Sequence, residues 1–364
     1  MNSYDIVLHF EWVHNSHVHK YLALNKKLNE HCKSLLIFNE GDLGITKELF
    51  SNFKTEDCAN VLLMPYKQTI DLLSKMDYKI YVSSSVGGKG IREAVVVANK
   101  KSTTVQISDR MDDAGYCQVF DIYSLINSIM LNTYKHFAQT TTWLSNCLLW
   151  DNIEECLPYY LTKDEFCNKY SLDAQKDILM WVPDSIQCQK GQAKVAYEEV
   201  CKIDNVIIKL HPNEHKRHKA EMVNGKWSCD LFAHGVPVLN PLDAHWAFKY
   251  IDCGVGYGSS VGMEFPFYKK PFIYVDQPND KNNLPIPFIF REDINKQHFG
   301  GVFSWVGISC DSSDLKRVVE EKKYIIKDDN LYNDHVSKFL AHPDRKAIEV
   351  ITEQLINLLE KLNG

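Results

Sequence analysis

Two segments in the second half of the chain run from apolar residues into residues that can hold an anion. They are Val206-Ile-Ile-Lys-Leu-His-Pro-Asn213 and Gly254-Val-Gly-Tyr-Gly-Ser-Ser-Val-Gly-Met-Glu264. In the first, Lys209 and His211 stand where a strand would end. An imidazole there can donate to a phosphate, and its charge adapts to the ligand. Pro212 lacks an N–H and stiffens the turn. In the second, Gly254, Gly256 and Gly258 would let the backbone approach a phosphate closely. Ser259 and Ser260 add hydroxyl donors at the start of a short helical pattern, whose first turn would offer free amides and the positive end of a dipole. Glu264, about one turn past Ser260, suits the hydroxyls of a ribose. The plainer readings are a loop histidine with its hydrogen bonds satisfied and a serine N-cap. Together the two segments predict one nucleotide-sized ligand held between neighbouring strands of an α/β sheet.

The elements that must position these residues follow from the apolar pattern. In the first half, short runs at Asp5 to Phe10, Ser34 to Phe38, Asn60 to Met64, Tyr78 to Ser83 and Thr103 to Ile107 read as strands. Helical spacing lies between them, which predicts βαβ units and a mostly parallel sheet. Phe120 to Trp150 reads as longer and helical. A second alternation begins near residue 160, with a helix at Lys163 to Tyr170 and strands at Asp177 to Val182, Val206 to Leu210, Val236 to Leu239 and Pro271 to Val275. Helical stretches at Leu331 to Leu340 and Arg345 to Leu362 close the chain. The expected architecture is α/β. Two Rossmann-like domains, 1–160 and 161–364, would face a central cleft, with the C-terminal helices closing the second.

Bulk composition removes several classes. With 41 basic against 47 acidic residues there is no global attraction to nucleic acid, although Lys209 to Lys219 with its three histidines forms a local basic stretch. The eleven cysteines include no Cys-x-x-Cys pair, so they predict reduced thiols rather than a zinc site or a disulfide framework. The N-terminus lacks the basic-then-apolar order of a signal peptide, and no apolar run is long enough to span a bilayer. A cytoplasmic protein is expected, with docking at the inner face of a membrane left open.

The first half offers its own candidates. His14, His17 and His19 follow the first strand within Trp12 to Lys20. This cluster lacks the carboxylate and regular spacing of a metal site, so no metal is expected. It reads either as part of a reactive site or as a plain polar loop. Glu40-Gly-Asp42 and Ser83-Ser-Ser-Val-Gly-Gly88 are further loops at strand ends.

The second half resembles the CDP-glycerol glycerophosphotransferase (teichoic acid primase and polymerase) family, whose enzymes have a GT-B architecture. Lys209-Leu-His-Pro212 matches that family's Lys-Pro-His-Pro, and Gly256-Tyr-Gly-Ser-Ser260 its Asp-Tyr-Ser-Ser loop. Ile178 to Asp184, Lys269 to Tyr274, His298 to Val302 and Asp344 to Glu349 match flanking signatures in the same order, over roughly residues 145–360. The His-Pro and Ser-Ser pair is also similar to that of bacterial sialyltransferases and Kdo transferases, which likewise use cytidine nucleotides.

The resemblance implies a transferase that needs no cofactor. It would move an alditol phosphate or a sugar from a CDP- or CMP-linked donor to a hydroxyl of a cell-surface glycan or lipid-linked glycan. His211, Ser259 and Ser260 would meet the donor phosphates, and Glu264 the ribose. The first domain would take the acceptor. The family's Trp-His-Gly histidine is missing. Ser108-Asp-Arg follows the corresponding strand, so Asp109, His14 or His17 would be the base. A uridine-sugar transferase, a uridine-sugar 2-epimerase and a non-catalytic scaffold of the same fold remain as alternatives.

Overall fold

The computed structural model describes residues 3–10, 17–40, 50–84, 89–108, 119–133, 140–151, 153–183, 197–210, 221–223, 226–228, 235–257, 259–276 and 305–364. The chain divides into two compact units, Met1–Tyr160 with Ser337–Gly364, and Leu161–Val336.

The first unit holds the strands β1 (Ile6–Phe10), β2 (Ser34–Glu40), β3 (Val61–Pro65), β4 (Ile80–Ser83), β5 (Thr103–Ile107), β6 (Ile122–Leu125) and β7 (Thr141–Leu144). Its helices are α1 (Val18–Asn29), α2 (Tyr66–Lys75), α3 (Lys89–Ala98), α4 (Ser128–Thr133) and the C-terminal α9 (Ala347–Asn363). The strands form one parallel sheet in the order β3-β2-β1-β4-β5-β6-β7. Residues such as Ile6, Val7 and Leu8 are fully buried, as both faces of a parallel sheet require. The expected strands are all present. The stretch Phe120 to Trp150 is corrected: it carries two strands, β6 and β7, around the short α4. The four-residue run Ile122-Tyr-Ser-Leu125 is buried throughout, so it carries no alternation that would separate strand from helix.

The expected 161–364 domain is also corrected, because its closing segment packs with the first unit. Asp151 accepts from the Ala347 and Ile348 amides, at 2.8 Å each, one with each carboxylate oxygen. It thus caps α9 from a distant part of the sequence, where Lys346 at the N-cap position provides no side-chain cap. Asn146 Nδ2 donates to the His342 and Arg345 carbonyls, and Gln354 Nε2 to the Leu144 carbonyl. Burial raises the Asp151 pKa above the ordinary carboxylate value, although both helix amides favour the anion. Asp151→Ala should cost about 2 kcal/mol by leaving two amides of a partly buried turn without their acceptor. Asp151→Asn, which keeps one acceptor oxygen, should cost less. Urea denaturation reads both, and equal stabilities of Asp151→Ala and wild type would contradict the capping role.

The second unit holds α5 (Lys163–Tyr170), β8 (Leu179–Pro183), β9 (Val206–Ile208), the hairpin β10 (Glu221–Val223) and β11 (Lys226–Ser228), α6 (Ala244–Tyr250), β12 (Cys253–Tyr257), β13 (Phe272–Asp276), β14 (Gly307–Asp311) and α7 (Leu315–Glu320). The helix α8 (Asn330–Phe339) carries the chain from this unit back to the first. Helix α5 begins at the expected place, with Thr162 and Glu165 forming a reciprocal capping box. The main sheet is parallel, in the order β14-β13-β12-β8-β9. Among the described residues, β9 is flanked on its outer side by a bridge from Ile208 to Val238 in place of the expected strand. Pro237 can accept from Ile208 but has no N–H to extend a ladder.

Candidate functional site at the carboxyl ends of two parallel sheets

In an open parallel sheet, ligands bind outside the carboxyl ends where the strand order reverses. In the second unit β9 lies on one side of β8 and β12 on the other, so the reversal falls between β8 and β12. The two predicted segments end β9 and β12. They are not neighbours as expected: β8 lies between them and ends in Pro183. Two strand spacings of about 4.8 Å therefore separate the two edges. The strand β8 itself was not assigned to the site from sequence, although Ile178 to Val182 followed by Pro-Asp-Ser gives the same strand-to-polar signal.

His211, Pro212 and Gly258 lie outside the described residues, and of Ser260 only the backbone is described. Among the described residues, Lys209 and Glu264 give one electrostatic link between the two segments. Lys209 continues directly from β9 and its amide donates to the Trp181 carbonyl at 2.8 Å, which ties it to β8. Its surroundings desolvate the ammonium and push its pKa below the ordinary lysine value, while the Glu264 carboxylate pulls it back up. A lysine and a half-buried glutamate from opposite sides of β8 thus share one electrostatic environment.

The Ser-Ser segment differs from its expected form. No α-helix follows. The chain makes two successive 3-10 turns, Ser260–Met263 and Phe265–Tyr268. Pro266 enforces the break, since it cannot donate to Gly262 and its ring would clash with that carbonyl. The dipole of a long helix is therefore absent, and what remains is a short turn with its leading amides. Ser259 serves as the cap of that turn, its Oγ accepting from the Val261 amide at 3.4 Å, and it is buried. The plainer serine reading holds for this residue.

The glycines of β12 have a packing role. A Cβ at Gly254 would overlap the Phe265 ring and come within 2.6 Å of Phe272. A Cβ at Gly256 would lie 2.7 Å from the Phe272 ring and 2.9 Å from Val182. Both glycines make room for aromatic side chains.

In the first unit the order reverses between β1 and β4. In sequence, His14 follows β1 and Ser85 to Gly88 follow β4, and Ser85 to Gly88 lie outside the described residues. Asp109 follows β5, the next strand. His14 and Asp109 lie outside the described residues, as do Gly41 and Asp42. His17 is half-buried and precedes α1, whereas His19 is buried within that helix. The two described histidines of the cluster thus differ in environment. Among the described residues, no group of three His, Cys, Asp or Glu side chains could hold a metal.

Behind this edge lies a polar network that sequence reading missed. The strand register places His9, Asn39, Tyr81, Ser83 and Gln106 on one face of the sheet, all of them buried. His9 Nε2 donates to Asn39 Oδ1 at 2.5 Å, so Nδ1 accepts from the Tyr81 hydroxyl at 2.7 Å. Asn39 in turn donates to Thr69 of α2, and Ser83 Oγ donates to the His9 carbonyl at 2.7 Å. These bonds fasten β1, β2 and β4 together beside the β1–β4 reversal. Burial lowers the His9 pKa from 6.5 to about 4, with the Asn39 bond opposing it, so the ring is neutral at neutral pH. The alternation around His9 gives no hint of this, because a histidine inside an apolar strand looks like an isolated exception.

The described cysteines are free thiols. Burial raises the pKa of Cys32 to about 11 and of Cys156 to about 12, and it also raises Cys253, which keeps all three protonated and weakly nucleophilic.

Two parallel α/β units, each with its loops at a strand-order reversal, define a GT-B-like fold. Solved structures carry the same fold across nearly the whole chain. The Staphylococcus aureus MnaA–UDP co-structure superposes with a TM-score of 0.59 at 11% identity, covering 99% of this chain and 97% of that one. The Neisseria meningitidis UDP-GlcNAc 2-epimerase bound to UDP-GlcNAc gives 0.59 at 11%, covering 97% and 100%. The wall teichoic acid polymerase TagF, as its H444N variant, gives 0.58 at 12%, covering 99% and 90%. No protein-family model and no curated relative matches the sequence.

Proposed function

We propose that the chain is a GT-B-type transferase whose second unit holds a cytidine-nucleotide donor, from which an alditol phosphate or sugar passes to a hydroxyl of a cell-surface glycan or lipid-linked glycan. The observation that carries this reading is the strand order, which sets the Lys209 and Glu264 segments on either side of β8 beside the β8–β12 reversal, with the Glu264 carboxylate acting on Lys209. The acceptor oxygen attacks the transferred group as the bond to the departing cytidine phosphate breaks. Lys209 and His211 take up the charge on that phosphate, with help from the amides that follow Ser259. Glu264 accepts from the ribose hydroxyls. The acceptor proton goes to a base of the first unit, Asp109, His14 or His17. TagF among the structural neighbours supports this reading, as do the motif matches of the second half.

A second reading, a UDP-sugar 2-epimerase, is favoured by neighbours solved with UDP and with UDP-GlcNAc. Titration calorimetry with CDP, CMP and UDP separates the two. The transferase reading expects tighter binding of a cytidine nucleotide, and a clear preference for UDP would reverse it. Lys209→Met should weaken the preferred nucleotide at least tenfold, the scale of one lost charge-assisted bond. Unchanged affinity in a natively folded Lys209→Met would remove Lys209 from the site. Among the described residues no helix is long and apolar enough to cross a membrane.

A further inference from the structure

The turn that follows Ser259 is short, and its capping bond of 3.4 Å is long. A four-residue 3-10 turn has little cohesion of its own. Its last residue, Met263, is buried, so the Met263 carbonyl needs a donor in the protein interior. That donor comes from far along the chain. His335 of α8 is buried and places Nε2 3.2 Å from the Met263 oxygen. A carbonyl can only accept, so Nε2 carries the proton. The same imidazole packs edge-on against Phe267 of the following turn, with ring centroids 5.6 Å apart and an interplanar angle of 67°. One side chain therefore holds both turns that flank Glu264.

We infer that His335 is a positioning residue for the nucleotide site: its Nε2–H fixes the Ser259–Met263 turn in the pose that meets the donor phosphates. The residue itself does not touch the ligand; it acts through the Met263 carbonyl. The ligand part of this inference rests on the proposed function, whereas the ordering of the turn does not.

The test uses the full chain with two substitutions. His335→Phe keeps a ring against Phe267 and removes the donor. His335→Gln restores an N–H that can reach the carbonyl. Hydrogen exchange without ligand reads the turn through the Gly262 and Glu264 amides, which bond within it to the Ser259 and Val261 carbonyls. In His335→Phe these two amides should exchange at least tenfold faster, with the β12 amides unchanged, and His335→Gln should stay within threefold of wild type. Calorimetry with CDP, CMP and UDP should show at least a tenfold loss of affinity in His335→Phe and recovery in His335→Gln. A purely structural role would lower the melting temperature of both variants and leave affinity below that temperature intact. Wild-type exchange and affinity in a folded His335→Phe would overturn the inference. If the wild-type protein bound none of the three nucleotides, the proposed function would fall, while the exchange measurement would still decide whether His335 orders the turn.

Discussion

Acidification from pH 7 to pH 5 should remove about 2 kcal/mol of stability through His9 alone, rising to about 3 kcal/mol near pH 4. His9 is fully buried and its folded pKa is about 4, against 6.5 when exposed. Between those values the unfolded chain binds a proton that the folded chain refuses. Stability from this group is therefore complete above pH 6.5 and is lost as the pH falls towards 4. The structural reason is that the neutral ring is already satisfied, donating to Asn39 and accepting from Tyr81. A proton on Nδ1 would force the Tyr81 hydroxyl to turn and would leave a cation buried within the sheet. Carboxylates titrate in the same range, so the measurement compares wild type with His9→Gln by urea denaturation at several pH values. The stability difference between the two proteins should shrink by about 2 kcal/mol from pH 7 to pH 5. A difference that stays constant with pH would mean that His9 protonates at an ordinary pKa in the folded state.

Gly254→Ala should cost about 3 kcal/mol, although it adds a single methyl group. Phe265 and Phe272 are both fully buried, and their ring centroids lie 5.2 Å apart. Phe248 closes in behind Phe265, again with centroids 5.2 Å apart. Neither ring can retreat from a Cβ at position 254 without displacing the other. Phe265→Leu alone should cost about 2 kcal/mol by opening a cavity. In the Gly254→Ala background the same change should be less harmful by at least about 1 kcal/mol, because the removed ring atoms are those the new methyl strikes. Denaturation of the four proteins completes the cycle. An alanine at 254 tolerated to within about 0.5 kcal/mol would show that the rings are free to move, and the packing account of this glycine would fail.

These two residues show where sequence reading succeeds and where it stops. Gly254 was legible as a special position, since a glycine inside an apolar run marks a close approach. What approaches it was not legible. A phosphate and a phenyl ring make the same demand on the backbone, and Phe265 and Phe272 come into place only when the chain folds back on β12. His9 was read as one more member of a strand. Its partners lie 30 and 72 positions away and become neighbours only through the β2-β1-β4 pairing.

The sequence by itself determined the local layer of this protein. Buried parallel strands write themselves as short apolar runs, and caps such as Thr162 with Glu165 act within four residues. The alternation of strand and helix, the parallel sheets and the loops at strand ends were therefore readable in order. Tertiary structure decided everything that depends on which strand lies beside which. It put β8 between the two predicted loops, brought Lys209 into the field of Glu264, returned α9 to the first unit through Asp151, and set His335 against the Ser259 turn. The physical reason is range. Periodicity and capping are enforced by neighbours along the chain, whereas strand order and side-chain partnership are set by burying surface between segments that share no local signal.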